Sequence, residues 1–249
     1  MDFFPWHYPK VSIRHRQGEM GMKIVILTGA GVSAESGLGT FRDKDGVWTK
    51  YDLNEVATPE GFARDPAKVH DFYNARRKNA LSATPNAAHF ALARLQQDFT
   101  GEVILVTQNV DRLHEAAGAK AIHMHGRLDR ACCAACGDDW DAPRKMFPSD
   151  TCPSCSAAAT RPDIVWFGEM PQSMELIAQH LETADVFAAI GTSGQVYPAA
   201  GFVAEARRFG AQTIEINLER SDLADQFHSH LIGPASEVVP DWVETFVKG

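Results

Sequence analysis

Four short segments rich in Val and Ile recur along the chain, separated by stretches with helical features. They are Lys23–Thr28, Val103–Thr107, Asp185–Ile190 and Thr213–Asn217. Strands that alternate with helices pair in parallel through crossover connections, so the pattern predicts an α/β fold with helices on both faces of a parallel sheet. Such sheets bind ligands at the carboxyl ends of their strands, and the residues that follow each strand are therefore the first candidates for a site.

Three helix starts are marked by a potential capping residue followed by proline, at Thr58, Asp65 and Thr84. The capping side chain accepts from free N–H groups of the first turn, and proline is tolerated at the first helical position. Further helices are predicted to begin near Asp111, Ser173 and Pro198, and a last one near Pro240.

The net charge of −8 argues against a general nucleic-acid-binding protein, because such proteins need a basic excess to neutralise phosphates. The chain has no apolar run long enough to span a membrane. Residues 1–21 lack the apolar core of a signal peptide, and we expect them to be a flexible extension of one domain over residues 22–249. These features predict a cytoplasmic protein.

A glycine-rich turn, Gly29-Ala30-Gly31, follows the first strand directly. Glycines let the backbone approach a pyrophosphate, and the start of the next helix offers N–H groups to it. Ala34 stands where the dinucleotide fingerprint usually has a third glycine. No apolar strand leads to an acidic residue about 20 positions on, and the next motif is an aromatic and cationic loop over residues 40–48. A hydride-transferring dehydrogenase is therefore disfavoured.

The strand Val103–Thr107 ends abruptly in amide and carboxylate side chains, Gln108, Asn109 and Asp111. His125 follows shortly after and supplies a group that can titrate near neutral pH. Polar groups and a candidate base at one sheet edge indicate chemistry on a polar ligand.

Two Cys-x-x-Cys pairs, Cys133 with Cys136 and Cys152 with Cys155, are separated by 15 residues. This spacing is typical of a tetrahedral zinc site, and four protein ligands leave no open position for catalysis. We therefore expect one structural Zn²⁺, which would supply the folding energy of a module covering about residues 130–160. Cys132 is the spare cysteine.

Together these motifs resemble the sirtuins, the NAD-dependent protein-lysine deacylases. The shared segments, in family order, are Gly29–Ser33, Thr40–Arg42, Thr107–Asp111, His125-Gly126, the two cysteine pairs, Val165–Glu169, Gly191–Ser193 and Ile216-Asn217. They cover about residues 22–247, and the order of match is most similar to the bacterial class III members of the cobalamin-B type. The resemblance implies a Rossmann-like large domain and a small zinc domain.

The resemblance also implies roles for individual residues. His125 would be the catalytic base for a ribose hydroxyl, with Asn109 beside it. The implied NAD-binding residues are Gly29, Ala30, Gly31, Val32, Ser33, Ala34, Glu35, Gly37, Thr40, Phe41, Arg42, Trp48, Gln108, Asn109, Val110, Asp111, Gly191, Thr192, Ser193, Asn217, Leu218, Glu219 and Ala235. Acyl-lysine peptide would bind beside Val165, Phe167 and Gly168, and the products would be nicotinamide, free lysine and O-acyl-ADP-ribose.

One predicted helix carries Val69, Phe72, Tyr73 and Arg76 on a single face. A guanidinium on this stripe needs an anion, and spacing alone leaves a ligand, an internal salt bridge and a snorkelling side chain open. Class III sirtuins carry the same Tyr-x-x-Arg, which binds the carboxylate of succinyl, malonyl or glutaryl groups, and a small residue matching Ala57. The resemblance thus implies desuccinylase, demalonylase and deacetylase activity.

Two other functions stay open from the sequence. The same NAD site could serve mono-ADP-ribosyl transfer, or the chain could be a non-catalytic NAD or ADP-ribose sensor, although His125 and Asn109 argue against the latter. The expected partners are acyl-lysine proteins and peptides, with no nucleic acid. The sequence leaves the oligomeric state open, and a monomer is favoured.

Overall fold

In the computed structural model, which describes residues 21–39 and 52–248, the largest element is a six-stranded parallel sheet. The strands in chain order are β1 (Lys23–Thr28), β2 (Glu102–Thr107), β3 (Ala121–His123), β4 (Gly126–Cys133), β5 (Asp139–Asp141), β6 (Thr160–Ile164), β7 (Val186–Ile190), β8 (Gln212–Asn217) and β9 (Ser229–Ile232). The large sheet has the order β3-β2-β1-β7-β8-β9, and β5-β4-β6 form a small antiparallel sheet. The predicted fold class is confirmed, while β3, β9 and the three strands of the small sheet were not predicted from the sequence.

Helices connect the strands and cover the large sheet. They are α1 (Ala30–Ala34), α2 (Leu53–Val56), α3 (Pro59–Arg64), α4 (Pro66–Ser82), α5 (Ala87–Asp98), α6 (Leu113–Ala116), α7 (Met174–Glu182), α8 (Phe202–Arg208) and α9 (Ala235–Val247). Two of the predicted proline-marked starts are confirmed, since Thr58 caps α3 and Asp65 caps α4. None of the described helices is both long and apolar enough to cross a bilayer.

Two predicted helix starts are wrong. Thr84 does not cap a helix; α5 begins two residues beyond Pro85, where Asn86 accepts from the Ala88 N–H and its own N–H meets the His89 ring. The last helix begins at Ala235, so Pro240 lies inside it rather than at its start. Burial of the helix face that includes Trp242 holds α9 together across this proline.

The side chains of β1 alternate between two hydrophobic cores. Ile24 and Ile26 pack on the side covered by α5 and α9, whereas Val25 and Leu27 pack on the side covered by α7 and α8. This alternation is the pleat of a strand buried on both faces, and it explains why the sequence there is almost continuously apolar.

The direction of the strand order reverses between β1 and β7, which are neighbours in the middle of the large sheet. The strands β2 and β3 lie on one side of β1, and β7, β8 and β9 lie on the other. Because the loops after β1 and β7 leave in opposite directions, a crevice opens at their carboxyl ends. The Gly31 N–H donates to the Gly191 carbonyl oxygen at 2.8 Å, so the two loops meet at the base of this crevice.

A third hydrophobic cluster joins α2 and α4 to the small sheet. It includes Val69, Phe72, Leu128 and Trp166, all buried. Arg77 lies on a different face of α4 from Arg76, as the spacing predicts, but that face is buried too, and its Nε donates to the Leu128 carbonyl oxygen at 2.6 Å. The contact ties α4 to β4 and fixes the wall that faces the crevice.

Candidate active site

A cleft of about 960 Å³ lies between the carboxyl edge of the large sheet and the third hydrophobic cluster. The predicted NAD-binding residues that line it are Gly29, Ala30, Gly31, Ser33, Ala34, Glu35, Gln108, Asn109, Val110, Asp111, Gly191, Thr192, Ser193, Asn217, Leu218, Glu219 and Ala235. The predicted base and substrate residues that line it are His125, Ala57, Tyr73, Arg76, Val165, Phe167 and Gly168. Segments far apart in the sequence thus converge on one cavity.

Some predicted residues lie elsewhere. Val32 is fully buried in the core, and Gly37 lies in the turn after α1 with a φ of +82°. Neither belongs to the lining of the cleft. Thr40, Phe41, Arg42 and Trp48 fall outside the described residues, as do residues 1–20 of the predicted extension.

The floor of the cleft is bare backbone from two glycine loops. A Cβ atom on Gly31 would lie 2.7 Å from the Gly191 Cα, and one on Gly29 would lie 2.7 Å from the Gly191 carbonyl oxygen. Gly191 itself has a φ of +62°, a conformation that favours glycine. Glycine at these positions therefore lets the two loops pack backbone against backbone at the base of the cleft.

A buried polar cluster lies at the end of β2. The Asn109 amide nitrogen donates to the Gly29 carbonyl oxygen at 3.0 Å and to Ser33 Oγ at 3.1 Å. The Ser33 hydroxyl donates to Asp111 Oδ2 at 3.0 Å, and Asp111 Oδ1 accepts from the Leu113 N–H at 3.0 Å. Burial raises the pKa of Asp111. These bonds hold the side chains of Asn109, Ser33 and Asp111 in a fixed arrangement at the end of β2.

His125 is set up to accept a proton. Its Nδ1 lies 3.2 Å from the Gln108 carbonyl oxygen, which can only accept, so Nδ1 carries the hydrogen. In the neutral ring, Nε2 is then the nitrogen with a lone pair. Burial lowers the pKa of His125 below its ordinary value of 6.5, and the bond to Gln108 opposes this only in part. The neutral, basic form is therefore favoured near neutral pH.

His123, only two residues away, has a different environment. Its Nδ1 lies 3.0 Å from the Asn109 carbonyl oxygen, and its Nε2 lies 2.9 Å from Glu115 Oε1. Both ring nitrogens are thus engaged with the protein, and the ring supports the backbone of the polar cluster. These contacts separate it from His125, for which the described part of the chain provides a contact at Nδ1 and none at Nε2.

Two more histidines lie behind the polar cluster, and the sequence reading gave them no role. His89 Nε2 is 3.5 Å from Ser33 Oγ, and His114 Nε2 is 3.0 Å from Thr28 Oγ1. Their ring centroids are 4.9 Å apart. Burial lowers the pKa of His89 to about 4 and that of His114 to about 3, so both are neutral beneath the cleft. The position of His114 just after the Asp111 motif was the available sequence signal.

Tyr73 and Arg76 line the cleft on the side of α4. The Arg76 guanidinium carbon lies 5.6 Å from the centroid of the Tyr73 ring, and burial lowers the pKa of Arg76. The Tyr73 hydroxyl accepts from the Trp166 indole N–H at 3.0 Å. Ala57 is buried nearby, and its carbonyl oxygen accepts from the Phe167 N–H at 2.9 Å. A cation and a phenol therefore lie beside the loop predicted to bind peptide.

The four cysteines of the two pairs come together at one end of the small sheet. Their sulfur atoms all lie within 4.8 Å of one another, with distances of 3.6 Å for Cys133 to Cys155 and 3.7 Å for Cys136 to Cys152. A tetrahedral zinc with bonds of about 2.3 Å places its sulfur ligands about 3.8 Å apart. The cluster fits a structural zinc ion, and its four ligands leave no position open for substrate.

The spare cysteine has another partner. The Cys132 sulfur lies 3.9 Å from the Pro162 carbonyl oxygen, and burial raises its pKa to about 11. By contrast, the backbone N–H of Cys136 helps to lower the pKa of Cys133 to about 7.

Comparison with known proteins identifies the family of the chain. The sequence model described as "Sir2 family" matches residues 29–198. The chain belongs to the Sir2 family. An NAD-dependent protein deacylase of Caulobacter vibrioides is 60% identical to this Sir2 protein over 228 residues, which cover 90% of this chain and 96% of the relative. The resemblance inferred from the motifs is confirmed.

Solved structures show the same fold. A Sir2 homolog–NAD complex matches this Sir2 protein with a TM-score of 0.83 and 40% identity, covering 91% of this chain and 90% of the other. A Sir2 protein bound to acetylated peptide matches with a TM-score of 0.76 and 27% identity, covering 91% and 94%. Of these two neighbours, one is thus a complex with NAD and the other a complex with acetylated peptide.

Proposed function

We propose that this Sir2 protein is an NAD-dependent protein deacylase that removes acidic acyl groups, succinyl or malonyl, as well as acetyl groups, from lysine side chains. The family, its relatives and the cleft support NAD-dependent deacylation. The observation that carries the acyl preference is the presence of Tyr73 and Arg76 in the cleft that also contains His125 and Asn109. A lysine bearing a dicarboxylic acyl group would present its free carboxylate to the phenol and the guanidinium.

The residues of the cleft divide the reaction between them. NAD supplies the ribose carbon that the acyl oxygen attacks as nicotinamide leaves. Asn109 and Asp111 hold the nicotinamide amide in the buried polar cluster. Nε2 of His125 takes the proton of a ribose hydroxyl as that oxygen attacks the acyl carbon, and addition of water then releases free lysine and O-acyl-ADP-ribose. The acyl oxygen is a weak nucleophile, so its position in a site shielded from water matters more than its reactivity.

The loop over residues 165–168 would hold the lysine backbone. The N–H groups of Val165 and Phe167 donate to the carbonyl oxygens of His125 and Ala57, at 3.0 and 2.9 Å. These bonds tie the loop to the catalytic base on one side and to the acyl pocket on the other. A peptide lying against Val165, Phe167 and Gly168 would therefore place its acyl-lysine between the two.

The acyl preference is tested by replacing the cation. We expect Arg76→Met to lower kcat/KM on a succinyl-lysine peptide at least about tenfold more than on the matching acetyl-lysine peptide. A charge-assisted hydrogen bond contributes about 1.5–3 kcal/mol, and only the succinyl substrate has a carboxylate that can form this bond with Arg76. Mass spectrometry of the peptide and of O-acyl-ADP-ribose measures both reactions and would also reveal ADP-ribose attached to protein.

Lys78→Met is the matched control, because Lys78 is an exposed cation on the same helix and lies outside the cleft lining. It should leave the ratio of succinyl to acetyl activity unchanged. Equal losses on both peptides in Arg76→Met would contradict the assignment of Arg76 to the acyl carboxylate.

A further inference from the structure

The Trp166 side chain donates a hydrogen bond to a residue of the acyl pocket. Its indole N–H, which can only donate, lies 3.0 Å from the Tyr73 hydroxyl oxygen, and both side chains are buried. We propose that Trp166 is a positioning residue for acyl selectivity, which orients the Tyr73 hydroxyl so that its hydrogen points to the ligand carboxylate. The inference rests on the proposed acidic-acyl function and names a further residue of that site.

The hydrogen-bonding capacity of the phenol explains the orientation. A tyrosine hydroxyl has one hydrogen to donate and two lone pairs that accept. The indole N–H occupies one lone pair, and the nearby positive charge of Arg76 attracts the oxygen and repels the hydroxyl hydrogen. Burial raises the pKa of Tyr73, which keeps the hydrogen on the oxygen. The O–H therefore faces away from both neighbours and is ready to donate.

The indole is itself held from several directions. The Arg161 guanidinium carbon lies 3.5 Å from the centroid of the Trp166 ring, and the Phe62 ring centroid lies 5.1 Å from it. Arg161 donates twice to Glu169, at 2.6 and 2.9 Å, and Glu169 accepts from the Trp166 backbone N–H at 2.8 Å. Since Trp166 cannot rotate freely, the Tyr73 oxygen has a fixed donor on one side.

A preset donor distinguishes acyl groups by chemistry. A carboxylate has only acceptor lone pairs, so an O–H already aimed at it binds without first losing rotational freedom. The methyl end of an acetyl group has no acceptor and gains nothing from the orientation. Trp166 should thus favour succinyl over acetyl substrates through Tyr73 alone.

A double-mutant cycle tests this route. The variants are Trp166→Phe, Tyr73→Phe and the combination, each assayed for kcat/KM on matched succinyl- and acetyl-lysine peptides. We expect Trp166→Phe to lower the ratio of succinyl to acetyl activity about two- to tenfold, the range of one hydrogen bond. In the Tyr73→Phe background the same change should leave the ratio as it is, because no hydroxyl remains to orient.

Trp242→Phe is the matched control. Trp242 is equally buried, but it packs in α9 away from the cleft, and its indole nitrogen has no hydrogen-bond partner among the described residues. The control should keep the parent ratio. Melting temperatures of all variants report folding. If Trp166→Phe melts below the assay temperature, Arg161→Met is the alternative variant. It removes the guanidinium that lies over the indole but leaves the indole N–H in place, and it should also lower the ratio of succinyl to acetyl activity.

The outcomes separate the two proposals. An unchanged ratio in Tyr73→Phe and in Arg76→Met would contradict the acidic-acyl function itself. A ratio lowered by Tyr73→Phe but unchanged in folded Trp166→Phe or Arg161→Met would overturn the positioning role alone. A Trp166→Phe effect of equal size with and without the Tyr73 hydroxyl would overturn it as well.

Discussion

His123 and His125 show how partners decide the role of a residue. The two lie two positions apart beside the same sheet edge, yet among residues 21–39 and 52–248 His123 has partners for both ring nitrogens and His125 for only one. A proton acceptor needs an available lone pair, and the geometry gives that to Nε2 of His125. The identity of the residue alone would not distinguish them, since each is an imidazole near the cleft.

The lowered pKa of His125 predicts the acid side of the activity profile. Burial favours the neutral ring, so the basic form is present above the lowered pKa and is lost only as the pH falls through it. We expect the acid-side midpoint of kcat/KM to lie below pH 6.5, with kcat/KM falling about tenfold per pH unit below that midpoint. An acetyl-lysine peptide is the substrate of choice, because its acyl group does not titrate.

The profile has a clear contrary result. A midpoint at or above pH 6.5 would show that His125 is not the titrating base or that its burial has no effect. His125→Ala should abolish turnover across the whole pH range and retain its fold, which circular dichroism would check.

Functional side chains that follow strands could be predicted from the sequence. The hydrogen-bond partners of side chains on helices could not. Asn109 could be chosen because the end of the predicted strand Val103–Thr107 marks the sheet edge where it lies, whereas His125 follows the unpredicted β3 and was assigned as the base through the His125-Gly126 motif of the family resemblance. Trp166 was part of a recognised motif, yet its bond to Tyr73 joins residues far apart in the chain. Arg77 likewise could not be distinguished from a solvated cation, because its acceptor, the Leu128 carbonyl oxygen, belongs to another element.

At the scale of elements, β4 and β6 connect the four clustered cysteines to His125 and to the loop over residues 165–168. β4 begins directly after His125 and ends at Cys133, while β6 begins shortly after Cys155 and ends just before Val165. The cysteine cluster and the catalytic segments thus lie at opposite ends of the same paired strands. A zinc ion at one end would therefore fix the register of the base and of the peptide loop at the other.

Loss of the metal should accordingly abolish activity without any change to the NAD-binding residues. Cys136→Ser is expected to lose its zinc and more than about tenfold in deacylase activity, since binding a structural zinc supplies folding free energy of about 10–16 kcal/mol. Elemental analysis and activity measure the two effects in parallel.

Cys132→Ser supplies the comparison, because the Cys132 sulfur faces the Pro162 carbonyl oxygen rather than the cluster. It should keep both metal and activity. A Cys136→Ser protein that retained zinc, or a parent protein without any, would contradict the assignment.

The two strands of the large sheet that were not predicted have weak local signals. β3 has three residues, and β9 is short and partly polar, so neither carries the apolar run that marked the central strands. The start of α5 was misplaced because Thr84-Pro85 and Asn86 both fit a cap, and only the contact between the Asn86 backbone and His89 selects the second. The central strands and two of the three proline-marked starts could be predicted because burial and capping leave local patterns.

At the scale of the whole molecule, the neutral histidines beneath the cleft link stability to pH. In the unfolded chain His89 and His114 would take up protons near pH 6.5, whereas in the folded chain their pKa values are about 4 and about 3. Below pH 6.5 the unfolded state therefore binds more protons, and the free energy of unfolding should fall as the pH drops towards 4. Each histidine contributes a slope of up to about 1.4 kcal/mol per pH unit.

Urea unfolding between pH 7 and pH 4.5 measures this slope. His114→Gln keeps a hydrogen-bonding side chain beside Thr28 but cannot titrate. The slope of its free energy of unfolding with pH should therefore be smaller than that of the parent by the contribution of one proton, up to about 1.4 kcal/mol per pH unit. A slope identical to that of the parent would contradict the buried neutral state of His114.

The contact between Gly31 and Gly191 has a consequence for synthesis on the ribosome. The loop after β1 is made early, but the backbone against which it rests belongs to the loop after β7, and Gly191 in turn donates to the Ile216 carbonyl oxygen at the end of β8. A nascent chain therefore has no finished nucleotide pocket until β8 has left the exit tunnel. The ligand can stabilise only the completed fold, and partly synthesised chains must reach that stage without its help.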